Sequence, residues 1–460
     1  DAEPPFRSEL YSADQMALHG EVLAAAHKLI AGQAPDRLLA RLADNESTLV
    51  DVCQLLTTAA TESRRMMPAG EWLLDNFYLI EEQIRTAKRH LPKGYSRELP
   101  RLAHGPSVGR PRVYDIALET IAHGDGRVDI DSLSGFVAAY QGISPMQLGE
   151  LWAIPIMLRL AVIENLRRVG VRIAASWAER NLAATWAERM AETAVSDPKS
   201  LILVIAEMAS SDPPMVGGFV AELARRLQGR GPTLALPLTW IEQRLSESGL
   251  TIEHLVQAEN QQQAADQVSI SNSIGSLRVL GATDWRTFVE TQSVVENTLR
   301  EDPGGAYGRM DFATRDRYRH AIERIAKKAC LSEGEVARKA VELARMGVLA
   351  IAAGGGGGAG DSHRAGHVGY YLIDKGLPQL ERAAQVRLSG AEALRKTAAR
   401  FPSLVYLGGI ALITVIVGAS LLAQAFAAGA PGWLLVPIGI VSLLAASQLG
   451  VALVNWLATL

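Results

Sequence analysis

The sequence predicts an all-α protein, with a multi-helix cytoplasmic domain followed by a two-helix transmembrane hairpin. Three observations carry that prediction. Apolar residues recur at helical spacing through most of residues 12 to 345. No run of β-branched alternation bounded by hairpin turns interrupts them, so strands are not needed. Two long charge-free apolar runs follow near the C-terminal end.

With 460 residues the chain exceeds the size at which one core stops growing, and two or three helical subdomains are expected in its soluble part. Punctuation divides it into an N-terminal helical unit over residues 1–91, a Pro- and Gly-rich connection over 92–112 and a central helical domain over 113–348. A Gly-rich linker over 349–366, a juxtamembrane segment over 367–403 and transmembrane helices over 404–428 and 433–459 complete the division. Pro92, Pro100, Pro106 and Pro111 mark the connection, and Gly354 to Gly358 mark the linker.

In the first unit, Leu73, Phe77, Ile80, Ile84 and Ala87 form one apolar stripe along residues 71 to 90. Tyr78, Glu82, Arg85 and Arg89 share another face, and Leu91-Pro92-Lys93-Gly94 stops the helix. In the central domain Asp197-Pro198 reads as N-cap and first position ahead of the apolar run Leu201 to Met208, and Asp212-Pro213 and Asp302-Pro303 are similar signals. Ser332-Glu333-Gly334-Glu335 fits a capping box ahead of Val336 to Met346. Trp177-Ala178-Glu179-Arg180 is echoed at Trp186 to Arg189, but a nine-residue offset puts the copies on opposite helix faces, so this is no solenoid period.

The apolar run from Leu404 to Ala428 carries no charge and is long enough to cross a bilayer; Gly429 to Gly432 turns the chain into a second such run. Tyr406, Trp433 and Trp456 stand where amphipathic rings favour the interface. Lys375, Arg382, Arg387, Arg395, Lys396 and Arg400 precede the first span, and the positive-inside rule puts that flank in the cytoplasm. Asp1 in place of an initiator Met, and Leu460 without a closing basic flank, give the expectation that the chain is part of a longer one.

Composition narrows the function. A net charge of −3 gives no excess of cations to neutralise nucleic-acid phosphates, so no nucleic-acid partner is expected. Cys53 and Cys330 are far apart and read as reduced thiols. Asp129-Ile130-Asp131 has the form of a metal-diphosphate motif, but it follows Gly124-Asp125-Gly126 and precedes a helix, so turn and N-cap duty is expected. The glycine run lacks the ending of a phosphate loop. Arg315, Arg317, Arg319, Arg324, Lys327 and Lys328 are interspersed with acids and read as a solvated helix face, with a membrane-surface contact second. The amide- and hydroxyl-rich segment with Gln257, Asn260 to Gln263 and Ser269 to Ser276 suits a polar helix interface; binding of sugar hydroxyls is its alternative. The histidines are scattered and are expected to form no triad or metal cluster.

Four strings resemble the N-terminal region of bacterial cyclic β-1,2-glucan synthases: Trp72 to Arg85 continuing through Leu91 to Pro100, Leu148 to Met157, Phe312 to Arg319, and His367 to Asp374. The resemblance implies a large multi-pass enzyme of the bacterial inner membrane, with this soluble part in the cytoplasm. Such an enzyme polymerises glucose from UDP-glucose on a protein-linked intermediate and cyclises the product. The resemblance further implies a divalent cation, magnesium by expectation, for that enzyme, with no cofactor in this chain.

The glycosyltransferase domain would start beyond Leu460, and a phosphorylase-like domain would follow. This chain is then an anchoring, non-catalytic portion with no catalytic, cofactor-binding or metal-ligating residue. Its partners would be membrane lipid and those two domains of the same polypeptide. The candidate domain-contact surface comprises Tyr78, Glu82, Arg85, Arg89, Lys93, Tyr95 and Arg97. A membrane-tethered scaffold without enzymatic activity is the alternative reading.

Overall fold

A computed structural model describes residues 3–30, 37–61, 66–91, 94–352, 364–387 and 402–459. The glycine run at 354–358, Pro92, Lys93 and the cations Arg395, Lys396 and Arg400 lie outside the described residues. The fold is all-α, 77% helical. Its strand content is one short antiparallel pair among the described residues, with Leu29 opposite Leu102 and Ile30 opposite Arg101. The chain divides into two compact units, Asp1–Arg319 and His320–Leu460.

The first unit is built on one helix of 49 residues, Leu148–Ser196. Its first half is buried on nearly every side, with Leu151, Ile154, Met157, Leu158, Ala161, Val162 and Leu166 covered alongside the charged Glu150, Arg159 and Glu164, so neighbouring helices must surround it. The covering comes from helices Leu38–Thr61, Phe77–His90, Arg112–His123 and Ile252–Ala282. The resulting core runs from Met16 to Val289 and includes Leu91 and Val113, which flank the Pro-rich stretch, and Leu99 within it. Beyond Ile173 the same helix is half-exposed and supports a second core, in which Ala183, Ala187 and Met190 meet Leu201, Phe219, Leu223 and Ile241.

Local signals explain several helix ends. Asp129 Oδ2 accepts from Ser132 N at 2.9 Å and caps helix Ile130–Ile143, so the Asp-x-Asp pair performs the turn and cap duty its context predicts. Asp125 and Gly126 ahead of it adopt φ of 45° and 82°, the left-handed region that a tight turn uses. Asp197 differs from expectation. It follows the long helix, its carboxylate accepts from Lys199 N and Ser200 Oγ, and Ser200 becomes the N-cap of Leu201–Ser210. Asp302 Oδ2 accepts from the amides of Ala306 and Tyr307, at the start of the 3-10 turn Tyr307–Arg309.

Residues 68 to 90 also depart from one continuous helix. The chain breaks at Asn76, between helices Pro68–Asp75 and Phe77–His90. The Asn76 amide donates to Trp72 O at 2.9 Å, and its Oδ1 accepts from Arg278 at 2.6 Å, so a side chain competes for the helical backbone.

In the second unit, helix Glu333–Ala352 starts at the predicted box: Ser332 N donates to Glu335 Oε2 at 2.7 Å and Glu335 N to Ser332 Oγ at 3.3 Å. Val336, Ala340 and Ala344 bury one face, with Val368–Ile373 and Leu377–Ala383 packed on the helix. Helices Pro402–Ala427 and Gly432–Thr459 pack on one another, with the turn between them using Gly429 at φ 80°. Their apolar cores, Tyr406–Ala427 and Gly432–Trp456, are long enough to cross a bilayer and only 6% and 11% buried within the chain. A core helix of a soluble protein would be covered instead. Small residues set their approach: a Cβ on Gly450 would lie 3.2 Å from both Ile410 O and Thr414 Oγ1. Tyr406 donates its hydroxyl to Asn455 Oδ1 at 2.9 Å.

Candidate functional site

Helix Phe77–His90 turns Leu79, Ile80, Ile84 and Ala87 into the core and leaves Tyr78, Glu82, Arg85 and Arg89 exposed together. Leu79 joins the buried side and Phe77 is half-buried, a rotation that follows from the break at Asn76. Arg85 meets Glu81 at 4.0 Å and Lys88 reaches Glu46, both near the surface where such pairs contribute little. Beyond the helix Arg97 is exposed, while Tyr95 is half-buried and donates its hydroxyl to Gly149 O at 2.8 Å, at the start of the long helix. Lys93 lies outside the described residues.

The interior of the first unit is rich in paired charge. Arg112 and Glu150 are 2% and 0% exposed and joined by two bonds of 2.6 Å; Arg112 also donates to Ser144 Oγ and Pro145 O. Glu164 accepts from Arg41, from Arg168 at 2.7 Å and from the Tyr114 hydroxyl at 2.7 Å. Burial opposes its charge, yet these donors hold its carboxyl down at about 2. Arg159 is buried with bonds to Gln83 Oε1, Pro155 O and Leu280 O, all neutral acceptors, and burial pulls its pKa down.

The basic stretch at 315–328 is corrected by the structure. Arg319 is fully buried, donating to Glu296 Oε2 at 2.7 Å and Glu290 Oε1 at 2.9 Å, with Phe312 against its guanidinium. Arg315 forms a bidentate pair with Glu290. Two residues read as solvated are therefore core ion-pair members. Trp152 packs edge-on against Phe312 at 6.3 Å, which joins two of the distinctive strings, Leu148–Met157 and Phe312–Arg319, in one cluster.

The polar segment divides between packing and surface. Ser269 and Ser273 accept from Asn165 Nδ2, Ser276 Oγ donates to Gly126 O and accepts from Val128 N, and Asn272 donates to Asp125 O. These bonds make the predicted polar helix interface. Earlier in the helix, Asn260 and Gln263 line a cleft of about 720 Å³ with Trp177, Arg180, Asn181 and Arg226.

The histidines do not remain scattered. His19 and Glu119 are 100 residues apart in sequence, yet His19 Nε2 lies 2.8 Å from Glu119 Oε2, and His123 Nε2 lies 3.3 Å from the same oxygen. Among the described residues this is the group of His, Cys, Asp or Glu side chains with the spacing to hold a metal ion. Periodicity cannot reveal such a group, because helices Ala13–Ala26 and Arg112–His123 come together only through tertiary packing.

Comparison with known proteins supplies the relationship. No family model matches the chain. Over 355 residues, 76% of its length, it is 32% identical to the cyclic β-(1,2)-glucan synthase NdvB of Rhizobium meliloti (strain 1021). The chain spans 12% of that protein's length. The chain is thus similar, over three quarters of its residues, to a portion amounting to 12% of one cyclic β-(1,2)-glucan synthase.

Proposed function

We propose that this chain is the N-terminal, membrane-anchoring and non-catalytic portion of a cyclic β-1,2-glucan synthase that polymerises glucose from UDP-glucose and cyclises the product. The similarity to one-eighth of such an enzyme carries this reading. Two further features agree with it: two apolar helices fit to span a bilayer, and the buried ion pairs Arg112–Glu150 and Arg319–Glu296, whose charges pair with each other. The proposal places the soluble part in the bacterial cytoplasm, anchored by a hairpin in the inner membrane. The transferase and phosphorylase-like domains are its partners in the longer protein, where UDP-glucose and a divalent cation such as magnesium serve the chemistry.

The exposed face of Tyr78, Glu82, Arg85, Arg89 and Arg97 is the surface assigned to contact the transferase. Its aromatic and charged groups are free of the core, whereas Tyr95 acts as a prop beneath it. Membranes carrying the longer enzyme, compared with membranes carrying a version lacking residues 1–350, test the role. With transferase amounts matched by immunoblot, labelled UDP-glucose incorporation should fall in the deletion. Equal incorporation and cyclisation would overturn a supporting role.

A further inference from the structure

We propose that His19, Glu119 and His123 form a binding site for a divalent transition-metal ion of the zinc class, and that the ion fastens the N-terminal helix to helix Arg112–His123. Glu119 and His123 are four residues apart on one helix, a spacing that puts both on the same face. His19 reaches them from Ala13–Ala26, and the three ligating atoms lie within 4.8 Å of one another. Tetrahedral zinc with bonds near 2.1 Å needs ligand atoms roughly 3.4 Å apart, so small side-chain rotations suffice.

The orientation of His123 carries the inference further. Its Nδ1 lies 2.7 Å from Glu9 O. A carbonyl only accepts, so Nδ1 must donate, and in the neutral ring Nε2 then presents a lone pair. That Nε2 lies 3.3 Å from Glu119 Oε2, and a single metal ion placed among His19 Nε2, His123 Nε2 and this oxygen would meet all three as ligands. A ring nitrogen donating to a main-chain carbonyl is also the outer bond that fixes a metal-ligating imidazole.

The surroundings support a fixed site. Tyr11 stacks on His123 at 3.9 Å between ring centroids, and Phe136 lies parallel to the His19 ring at 6.2 Å. Glu119 remains 30% exposed, which leaves a path for the ion and room for a water as fourth ligand. Two imidazoles and one carboxylate favour zinc, cobalt or nickel over magnesium, which takes oxygen ligands. Binding would also displace the proton that His19 Nε2 shares with Glu119.

The test uses the 460-residue chain in detergent, without a histidine tag, stripped with chelator and carrying Cys330→Ser. Cobalt(II) alone is titrated in while visible absorption is followed, and zinc(II) is then added as competitor. The expected result is one cobalt per chain with tetrahedral bands, displaced by zinc and untouched by equimolar magnesium. His19→Ala and Glu119→Gln should each weaken binding at least tenfold, with Glu119→Gln keeping the native circular dichroism. Zinc should slow hydrogen exchange in helix Ala13–Ala26 of the parent chain and not of the variants. No stoichiometric cobalt binding, variants weakened less than tenfold, or displacement by magnesium would each overturn the assignment.

Discussion

Replacing Arg112 with Met tests whether the long helix is held by buried charge. The guanidinium is 2% exposed and the Glu150 carboxylate fully covered, with two bonds of 2.6 Å between them. In Arg112→Met, Glu150 keeps only the Gln147 amide at 2.9 Å as a donor given by the structure. Breaking one side of such a pair leaves an uncompensated buried charge and costs about 3–5 kcal/mol. Replacing both partners removes the desolvation penalty, and Arg112→Met with Glu150→Met should recover most of that loss.

Because the chain has two units, one global unfolding energy is not defined, and a local readout is needed. Hydrogen exchange of the amides in helix Arg112–His123 reports the opening energy directly. A loss of 3–5 kcal/mol corresponds to about two to four powers of ten in protection. A single substitution that costs less than about 1 kcal/mol, as exposed pairs do, or a double variant as labile as the single one, would refute the argument.

Acid should act through Glu164. Its carboxyl is depressed from 4.5 to about 2 in the folded chain, so its contribution is complete above pH 4.5 and is lost as pH falls toward 2. The shift sets that contribution at about 3 kcal/mol. Hydrogen-exchange protection of the amides around Glu164 in helix Leu148–Ser196, followed over this pH range, should show less pH dependence in Glu164→Gln, and identical slopes would contradict the pairing. Burial, with Glu81 nearby, pushes the Cys53 thiol up to about 12, whereas Cys330 is exposed. At pH 8 roughly one Cys53 thiol in ten thousand is ionised, so iodoacetamide should label Cys330 and spare Cys53 by mass spectrometry. Comparable labelling rates would count against the packing around Cys53.

In the hairpin, Gly450→Leu should separate the two helices. Cysteines at 409 and 454, in a background lacking Cys53 and Cys330, report the approach, because a Cβ on Gly409 would lie 3.4 Å from Val454 Cγ2. Their oxidation should become slower in the Leu variant, and an unchanged rate would place the interface elsewhere. Finally, Arg85→Ala with Arg89→Ala should leave stability within about 0.5 kcal/mol, as expected for exposed positions, while lowering glucan yield in the longer enzyme. Unchanged assembly and yield would remove the proposed contact face.

What the sequence made legible were the features that repeat or punctuate locally. The helical period, the charge-free hairpin, the Ser332 capping box and the Asp129 cap all depend on residues a few positions apart. The polar helix was readable as an interface because so many amides and hydroxyls on a helix must find partners, and Asn165 and Gly126 provide them. The break at Asn76 escaped because it depends on Arg278, far away in the chain.

Arg319 and Arg315 escaped for a related reason. Composition assigns arginine to solvent, and only the fold supplies the carboxylates of Glu290 and Glu296 that make burial tolerable. The same holds for the face of helix Phe77–His90: periodicity identified its charged side, but the rotation that brings Leu79 inward was set by the break. His19, Glu119 and His123 were the least legible, since their spacing arises wholly from helix packing.

Under the proposed function this chain supports glucan synthesis without performing it. The most direct measurement supplies the purified 460-residue chain, in detergent, with labelled UDP-glucose and magnesium, and follows both glucan formation and release of UDP. Neither product is expected above the protein-free control. Sustained turnover, retained through further purification, would contradict it.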